Sequence, residues 1–276
     1  MYPLPAATDP QQRWLRAVAL GGQGFYSGAR AELARLQREV TAGPLASFAA
    51  STEASLLRQL GWHRAAAAYD GRAFALAREV QARGVQAQGV EAQGVQAQGV
   101  QRGARTTVTA AQCDALTGLA ADALGCGRLD LSRRLLAQCA DRLPSSDVGD
   151  TVLWRQRIRL HWVRAEVALA SGDFATAQAH AAQASALADR SRSVRHQVKS
   201  DLLRAASATG NADLGQARAL AVDVSERCAD HGLVPLRWAA AMLANGIGAA
   251  VDADRVRDEC AEIVMRRGGH FAAFRN

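Results

Sequence analysis

The stretch Gly172-Asp173-Phe174-Ala175-Thr176-Ala177 decides the fold, because its pattern recurs along the chain. Alanine-rich, amphipathic sequence lies on either side of it, and alanine has the highest helix propensity of all residues. A glycine between two such stretches predicts two helices joined by a tight turn. The glycines that mark these turns are Gly24, Gly61, Gly127, Gly172, Gly210 and Gly248. The chain is therefore predicted to be a series of helical hairpins.

The marker glycines follow one another after 37, 66, 45, 38 and 38 residues. A period of roughly 20–50 residues is typical of stacked helical repeats. The long interval contains a tandem pentapeptide at residues 80–103, of the type Val-Gln-Ala-Gln-Gly, and removing its 24 residues leaves 42. We therefore interpret residues 80–103 as an insertion between the second and third hairpins.

The insertion is poorly suited to packing. Its five-residue period places the valines on no single face of a helix or a strand, and each of its glycines costs a helix about 1 kcal/mol. We expect a flexible or frayed helical spacer, with a docking element as the alternative. The predicted organisation is hairpins one and two in residues 1–79, the insertion in 80–103, hairpins three to six in 104–265, and a C-terminal tail in 266–276.

Other positions recur relative to the marker glycines. Ten residues before them lie Trp14, Trp162 and Trp238. Seven residues before them lie Ala17, Ala54, Ala120, Ala165 and Ala241, and twelve residues after them lie Leu36, Ala73, Cys139, Ala184 and Cys260. One large residue with small residues at the crossing points lets two helices approach closely. The repeat is therefore predicted to include the packed faces of the helices as well as the turns.

The sequence from Ala165 to Ala184 resembles the tetratricopeptide repeat family, with Gly172-Asp173-Phe174 and Ala177 at that family's turn and packing positions. The segment from Leu60 to Ala73 is similar to it as well. The family's first-helix glycine is replaced by alanine here, and its tryptophan is offset by one residue. The resemblance implies an all-α fold, a right-handed superhelix (α-solenoid) of about six antiparallel helix hairpins.

Motifs for chemistry do not emerge from the sequence. It has no nucleotide-binding loop, no nucleophile elbow and no zinc-protease motif. Its six histidines are scattered, and its five cysteines form no C-x-x-C pair. We expect no enzyme activity, no cofactor and no metal. No signal sequence or membrane-spanning stretch is evident, so we expect a cytoplasmic protein without a membrane partner.

The same resemblance predicts where a ligand binds. Tetratricopeptide proteins commonly bind peptides in a concave groove, which is lined by the first helix of each hairpin. The positions thirteen, ten, six and three residues before the marker glycines select Trp14, Arg58, Arg159, Trp162, Glu166, Arg204 and Trp238. Tryptophan and arginine often dominate interface energetics. The alternative is that the tryptophans pack between helices and that Arg58 and Arg204 are ordinary solvated residues.

We therefore expect a non-enzymatic scaffold that binds a peptide or partner protein in the groove. Residues 151–204 carry nine basic and four acidic residues, which gives them five of the chain's net charge of +7. Such a surface attracts acidic peptides or nucleic acid. The alternative function is therefore a regulatory or nucleic-acid-associated module that uses the basic helix around residues 154–164.

Overall fold

The computed structural model describes residues 4–87, 95–144 and 152–273, and in these ranges the chain is all-α, with no strand. The first six helices are α1 (Pro10–Gly22), α2 (Tyr26–Glu39), α3 (Gly43–Gln59), α4 (His63–Ala87), α5 (Val95–Gly125) and α6 (Leu129–Ala140). The others are α7 (Trp154–Ala170), α8 (Phe174–Asp189), α9 (Val194–Ser207), α10 (Gly215–Asp230), α11 (Val234–Gly246) and α12 (Ala253–Arg266). A 3₁₀ turn, Ala208–Gly210, follows α9. The predicted all-α class is confirmed.

The first four hairpins have the same connection. Three residues join the two helices, and the central one is Gly24, Gly61, Gly127 or Gly172, with φ between 73° and 85°. The residue after each glycine donates its backbone N–H to the carbonyl five residues earlier, at 2.8–3.0 Å. These bonds define a Schellman motif, which satisfies carbonyls at the end of the first helix and favours glycine because φ is positive. The recurring glycine is therefore explained by helix capping.

The last two connections differ from this pattern. Gly210 has no positive φ, ends the 3₁₀ turn, and lies so close to the Phe174 ring that a Cβ atom would overlap it. Residues 208–214 join α9 to α10, which accounts for the irregular sequence around this glycine. Gly248 has φ of 60° within a connection that runs from 247 to 252.

The Gly248 connection keeps the same capping bond, from the Ala249 N–H to the Ala244 carbonyl at 2.8 Å, in a longer loop. The three-residue turn itself also occurs between α10 and α11, where Gly232 is the central residue with φ of 63°.

The recurring small residues form the core. Those seven residues before the glycines and those twelve residues after them are all at most 2 % exposed. Since nearly all of these are alanine or cysteine, neighbouring helices pack at short distance without large side chains between them. The repeat inferred from the sequence is therefore also a repeat of buried positions.

Two compact units make up the chain. Unit A consists of Ala7–Leu15 and Ala31–Gln156, and unit B of Met1–Ala6, Arg16–Arg30 and Arg157–Asn276. In unit A, α3, α4, α5 and α6 pack in chain order, and α3 also contacts α5. In unit B, α8 to α12 pack in chain order, and α9 also contacts α11. Contacts between consecutive helices are what a series of hairpins requires.

The pentapeptide insertion is helical at both of its described ends. Helix α4 continues to Ala87 and α5 begins at Val95, so the expected boundaries at 79 and 103 fall inside these helices. Residues 88–94, in the middle of the insertion, lie outside the described residues.

The residues that follow α12 pack within unit B. Arg267 places its guanidinium carbon 3.9 Å from the centre of the Phe25 ring and donates to the Gln23 carbonyl at 2.7 Å. The Ser27 backbone N–H donates to the Arg267 carbonyl at 3.0 Å. The start of the segment expected to be a tail is therefore held against the first hairpin. Among the described helices, none combines the length and the apolar character needed to cross a membrane.

Candidate binding surface

Trp162 lies between α7 and α9 of unit B, which are the first helices of the fourth and fifth hairpins. Its indole N–H donates to Ser200 Oγ at 2.8 Å, and its ring stacks on His196 with centroids 5.2 Å apart. His196 Nδ1 lies 2.7 Å from Ser193 Oγ, which fixes the imidazole in turn. Trp162 is 9 % exposed. Its polar and apolar surfaces are thus both used in packing α7 against α9.

Trp14 has the same arrangement in unit A. Its indole N–H donates to Thr52 Oγ1 at 2.9 Å, and its ring stacks on Phe48 with centroids 5.0 Å apart. The guanidinium of Arg155 lies 5.2 Å from the Trp14 ring centre and also pairs with the buried carboxylate of Asp114. Trp14 is 7 % exposed. The first of the recurring tryptophans is therefore a packing residue as well.

Trp238 has a different partner. Its ring stacks on Phe271, which follows the last helix, with centroids 4.9 Å apart. The side chain is half-buried. Of the three tryptophans expected to line a groove, Trp14 and Trp162 are thus buried against neighbouring helices, as the packing alternative requires, and Trp238 is partly covered.

Arg58 belongs to a buried ionic cluster in unit A. Its Nε donates to Asp122 Oδ1 at 2.7 Å, and its Nη2 pairs with Asp70. Asp70 also accepts from Ser51 Oγ at 2.7 Å, and His63 Nδ1 lies 3.4 Å from Asp122 Oδ1. Burial alone would lower the pKa of Arg58, but the carboxylates of Asp70 and Asp122 outweigh burial and raise it. The guanidinium is therefore occupied in joining α3, α4 and α5.

Two glycines of α5 make room for this cluster. A Cβ atom on Gly118 would overlap the carboxylate of Asp70, and one on Gly125 would overlap the ring of His63. Asp70 and Asp122 are at most 1 % exposed. Sequence reasoning missed both carboxylates, because an aspartate in a helix is usually exposed to solvent and becomes fully buried only when it is paired.

The remaining predicted residues lie on α7 and α9 and stay partly exposed. Glu166 accepts from Lys199, the only lysine of the chain, at 2.7 Å. Arg204 donates to Asp201 at 3.3 Å, and its side chain is 41 % exposed. Arg159 is half-buried on α7. Charged side chains thus follow one another along the first helices of the fourth and fifth hairpins.

Asp201 organises this surface, and sequence reasoning did not identify it. It accepts from Ser185 Oγ at 3.1 Å and from Arg227 Nη1 at 2.7 Å, besides its contact with Arg204. These bonds connect α8, α9 and α10. Hydrogen bonding to Asp201 raises the pKa of Arg227. Asp201 is thus held by Arg227 and Ser185 independently of Arg204.

The structure therefore divides the seven predicted residues into two groups. Trp14, Arg58 and Trp162 have buried partners, whereas Arg159, Glu166, Arg204 and Trp238 keep part of their side chains accessible. Arg159, Glu166 and Arg204, with Lys199, define what we call the α7–α9 surface. Such a surface suits recognition by charge-assisted hydrogen bonds. Within the described residues no group of three or more histidine, cysteine, aspartate or glutamate side chains is arranged to hold a metal ion.

Comparison with known proteins adds no family and no function to these observations. No protein-family model matches the sequence, and no curated protein is detectably similar to it. The resemblance to tetratricopeptide repeats rests on the residues quoted above.

Proposed function

We propose that this protein is a non-enzymatic interaction scaffold of tetratricopeptide-like hairpins, arranged as a solenoid, which binds an acidic peptide segment along the α7–α9 surface. The observation that carries the proposal is the row of partly exposed charges on two consecutive first helices. Trp162 and its partners Ser200 and His196 hold these two helices in register. A preformed surface of this kind lowers the entropic cost of ordering a bound peptide.

The ligand is expected to be acidic because of the local charge. Residues 151–204 carry five of the chain's net charge of +7. The contact between Arg204 and Asp201 is long, at 3.3 Å, and Arg204 is substantially exposed, so the pair contributes only about 0–1 kcal/mol. Arg204 can therefore turn to a ligand carboxylate at small cost, while Arg227 and Ser185 still satisfy Asp201.

The nucleic-acid alternative has less support from the geometry. A phosphate-binding helix needs several cations that are not already paired with carboxylates. Arg155 is committed to Asp114 and to the rings of Trp14 and Phe48. Association with DNA that weakens steeply with salt would favour this alternative over the peptide.

We place the protein in a reducing compartment such as the cytoplasm. All five cysteines are free thiols, and four of them are buried. Burial raises the pKa of Cys228 to about 12, so this thiol stays protonated and unreactive. Such cysteines serve as small apolar core residues.

The experiment is a peptide-display selection against the full chain, followed by fluorescence anisotropy of the enriched peptides. We expect enrichment of acidic sequences, with affinity reduced about fivefold or more by Arg204→Ala or Arg159→Ala, because arginine is enriched among the interface residues whose truncation costs more than about 1 kcal/mol. Arg266→Ala is the matched control, since Arg266 is an exposed arginine of unit B that belongs to α12. Enrichment of neutral peptides, or equal losses in the control, would contradict the proposal.

A further inference from the structure

Two imidazole rings face each other across the fourth hairpin. His161 of α7 and His180 of α8 place their Nδ1 atoms 3.1 Å apart, with ring centroids separated by 5.2 Å. Both side chains are half-buried, so solvent still reaches the pair. Their helices are joined by the Schellman turn at Gly172, which fixes the distance between the two backbones.

We propose that His161 and His180 form a two-histidine site for a divalent transition-metal ion of the zinc and copper class. Bonds from zinc to imidazole nitrogen are about 2.0–2.1 Å long. Two such bonds to nitrogens 3.1 Å apart enclose an angle of about 98° at the metal. This angle lies between the square-planar and the tetrahedral values. The two Nδ1 atoms are hydrogen-bonded in the metal-free protein, so one of them carries a proton. When a metal binds, the donor ring carries its proton on Nε2 instead, and both Nδ1 lone pairs are then directed at one ion.

The surroundings of the pair limit how tightly an ion is held. The nearby charge of Arg164 repels a cation, and the described residues offer no third histidine, cysteine, aspartate or glutamate to complete a three-ligand site. We therefore expect weak binding, with water completing the coordination sphere.

The donor atoms decide the class of ion. Imidazole nitrogen suits zinc, copper and nickel, whereas magnesium and calcium prefer oxygen ligands. A bound ion would connect α7 to α8 and stabilise the folded state by mass action. Metal binding at this hairpin is independent of peptide binding on the α7–α9 surface, so either can fail without the other.

The test is calorimetric titration of Zn²⁺ into the metal-free full chain, repeated with Ni²⁺ and Mg²⁺. We expect one ion per chain for zinc and nickel and none for magnesium. His161→Ala and His180→Ala should each weaken binding by more than about tenfold, since even the loss of an outer-shell partner costs roughly 10–100-fold. His231→Ala and Cys126→Ser are matched controls at exposed positions and should leave the titration unchanged.

Two results would overturn the assignment: no saturable zinc binding, or binding that survives both histidine variants. Thermal unfolding keeps the variants interpretable, because zinc should raise Tm of the wild type and of His231→Ala but not of His161→Ala. If His161→Ala does not fold, electron paramagnetic resonance of Cu²⁺ added to the wild type remains decisive. Hyperfine coupling to two imidazole nitrogens is expected, and its absence would contradict the site.

Discussion

Trp162 donates its indole N–H to Ser200, and the two residues are 38 positions apart, the same separation as that between Trp14 and Thr52. The stacking partners His196 and Phe48 also share one separation, 34 positions. In both cases the hydroxyl additionally donates to the carbonyl of the stacked residue, at 2.8 Å and 2.7 Å. The same three-residue contact therefore joins neighbouring hairpins in each of the two units.

We expect the contact of the tryptophan with its hydroxyl acceptor and its stacked residue to make a large contribution to the free energy of unfolding. We expect Trp162→Ala to lower the free energy of unfolding by about 3–5 kcal/mol, because it removes a buried ring and leaves a cavity. Ser200→Ala should cost about 1–3 kcal/mol, since the indole N–H is left without its acceptor. Chemical denaturation measures both. Trp62→Ala is the control, because Trp62 is 44 % exposed, and its loss should cost less than about 1 kcal/mol.

The buried ionic cluster gives a second prediction. Arg58→Ala should destabilise the protein by about 3–5 kcal/mol, because two buried carboxylates lose their counter-charge. Replacing Arg58, Asp70 and Asp122 together by apolar residues of similar size should recover most of that loss in urea unfolding. Arg133→Ala, which removes an exposed ion pair with Asp130, should change stability by about 0–1 kcal/mol. Equal effects of Arg58→Ala and Arg133→Ala would show that the cluster is not structural.

Close approach of α4 and α5 gives a third prediction, with a control in the same pair of helices. Gly118→Ala introduces a Cβ atom into the carboxylate of Asp70, whereas Gly71→Ala adds one in open space on α4. We expect Gly118→Ala to destabilise the fold by more than about 1 kcal/mol. Gly71→Ala should stabilise it by about 0.5–1 kcal/mol, because alanine is the better helix former. Thermal unfolding separates the two, and a stabilising Gly118→Ala would contradict the packing described.

The sequence predicted the helices, their turns and their buried small residues because these features follow from local periodicity and glycine conformation. It could not predict whether the tryptophans face the groove or the core, since an error of one residue in the helix register turns a side chain from one to the other. The partners of Arg58 lie 12 and 64 positions away, and pairing over such separations is set by tertiary packing. The bonds by which Asp201 connects α8, α9 and α10 depend on how three helices pack together, and the periodicity of one helix does not predict that packing.

The histidine pair gives a prediction for pH dependence. Burial and Arg164 lower the pKa of folded His180 below its ordinary value of 6.5, and His161 faces it at 3.1 Å. As the pH falls through about 6.5, His180 therefore becomes protonated in the unfolded chain before it does so in the folded one. The free energy of unfolding is lowered below that pH and is unchanged above it. Urea unfolding from about pH 7.5 to about 5.5 should show a smaller loss of stability for His180→Gln than for the wild type. Parallel curves would contradict the prediction.

Binding of a ligand carboxylate by Arg204 on the α7–α9 surface is tested most directly by a double-mutant cycle. A peptide enriched by the full chain would be compared with versions in which single acidic residues become Ala, each against wild type and Arg204→Ala. We predict a coupling energy above about 0.5 kcal/mol for one acidic residue, and none between that residue and Arg266→Ala. Additive effects at every acidic position would contradict the claim.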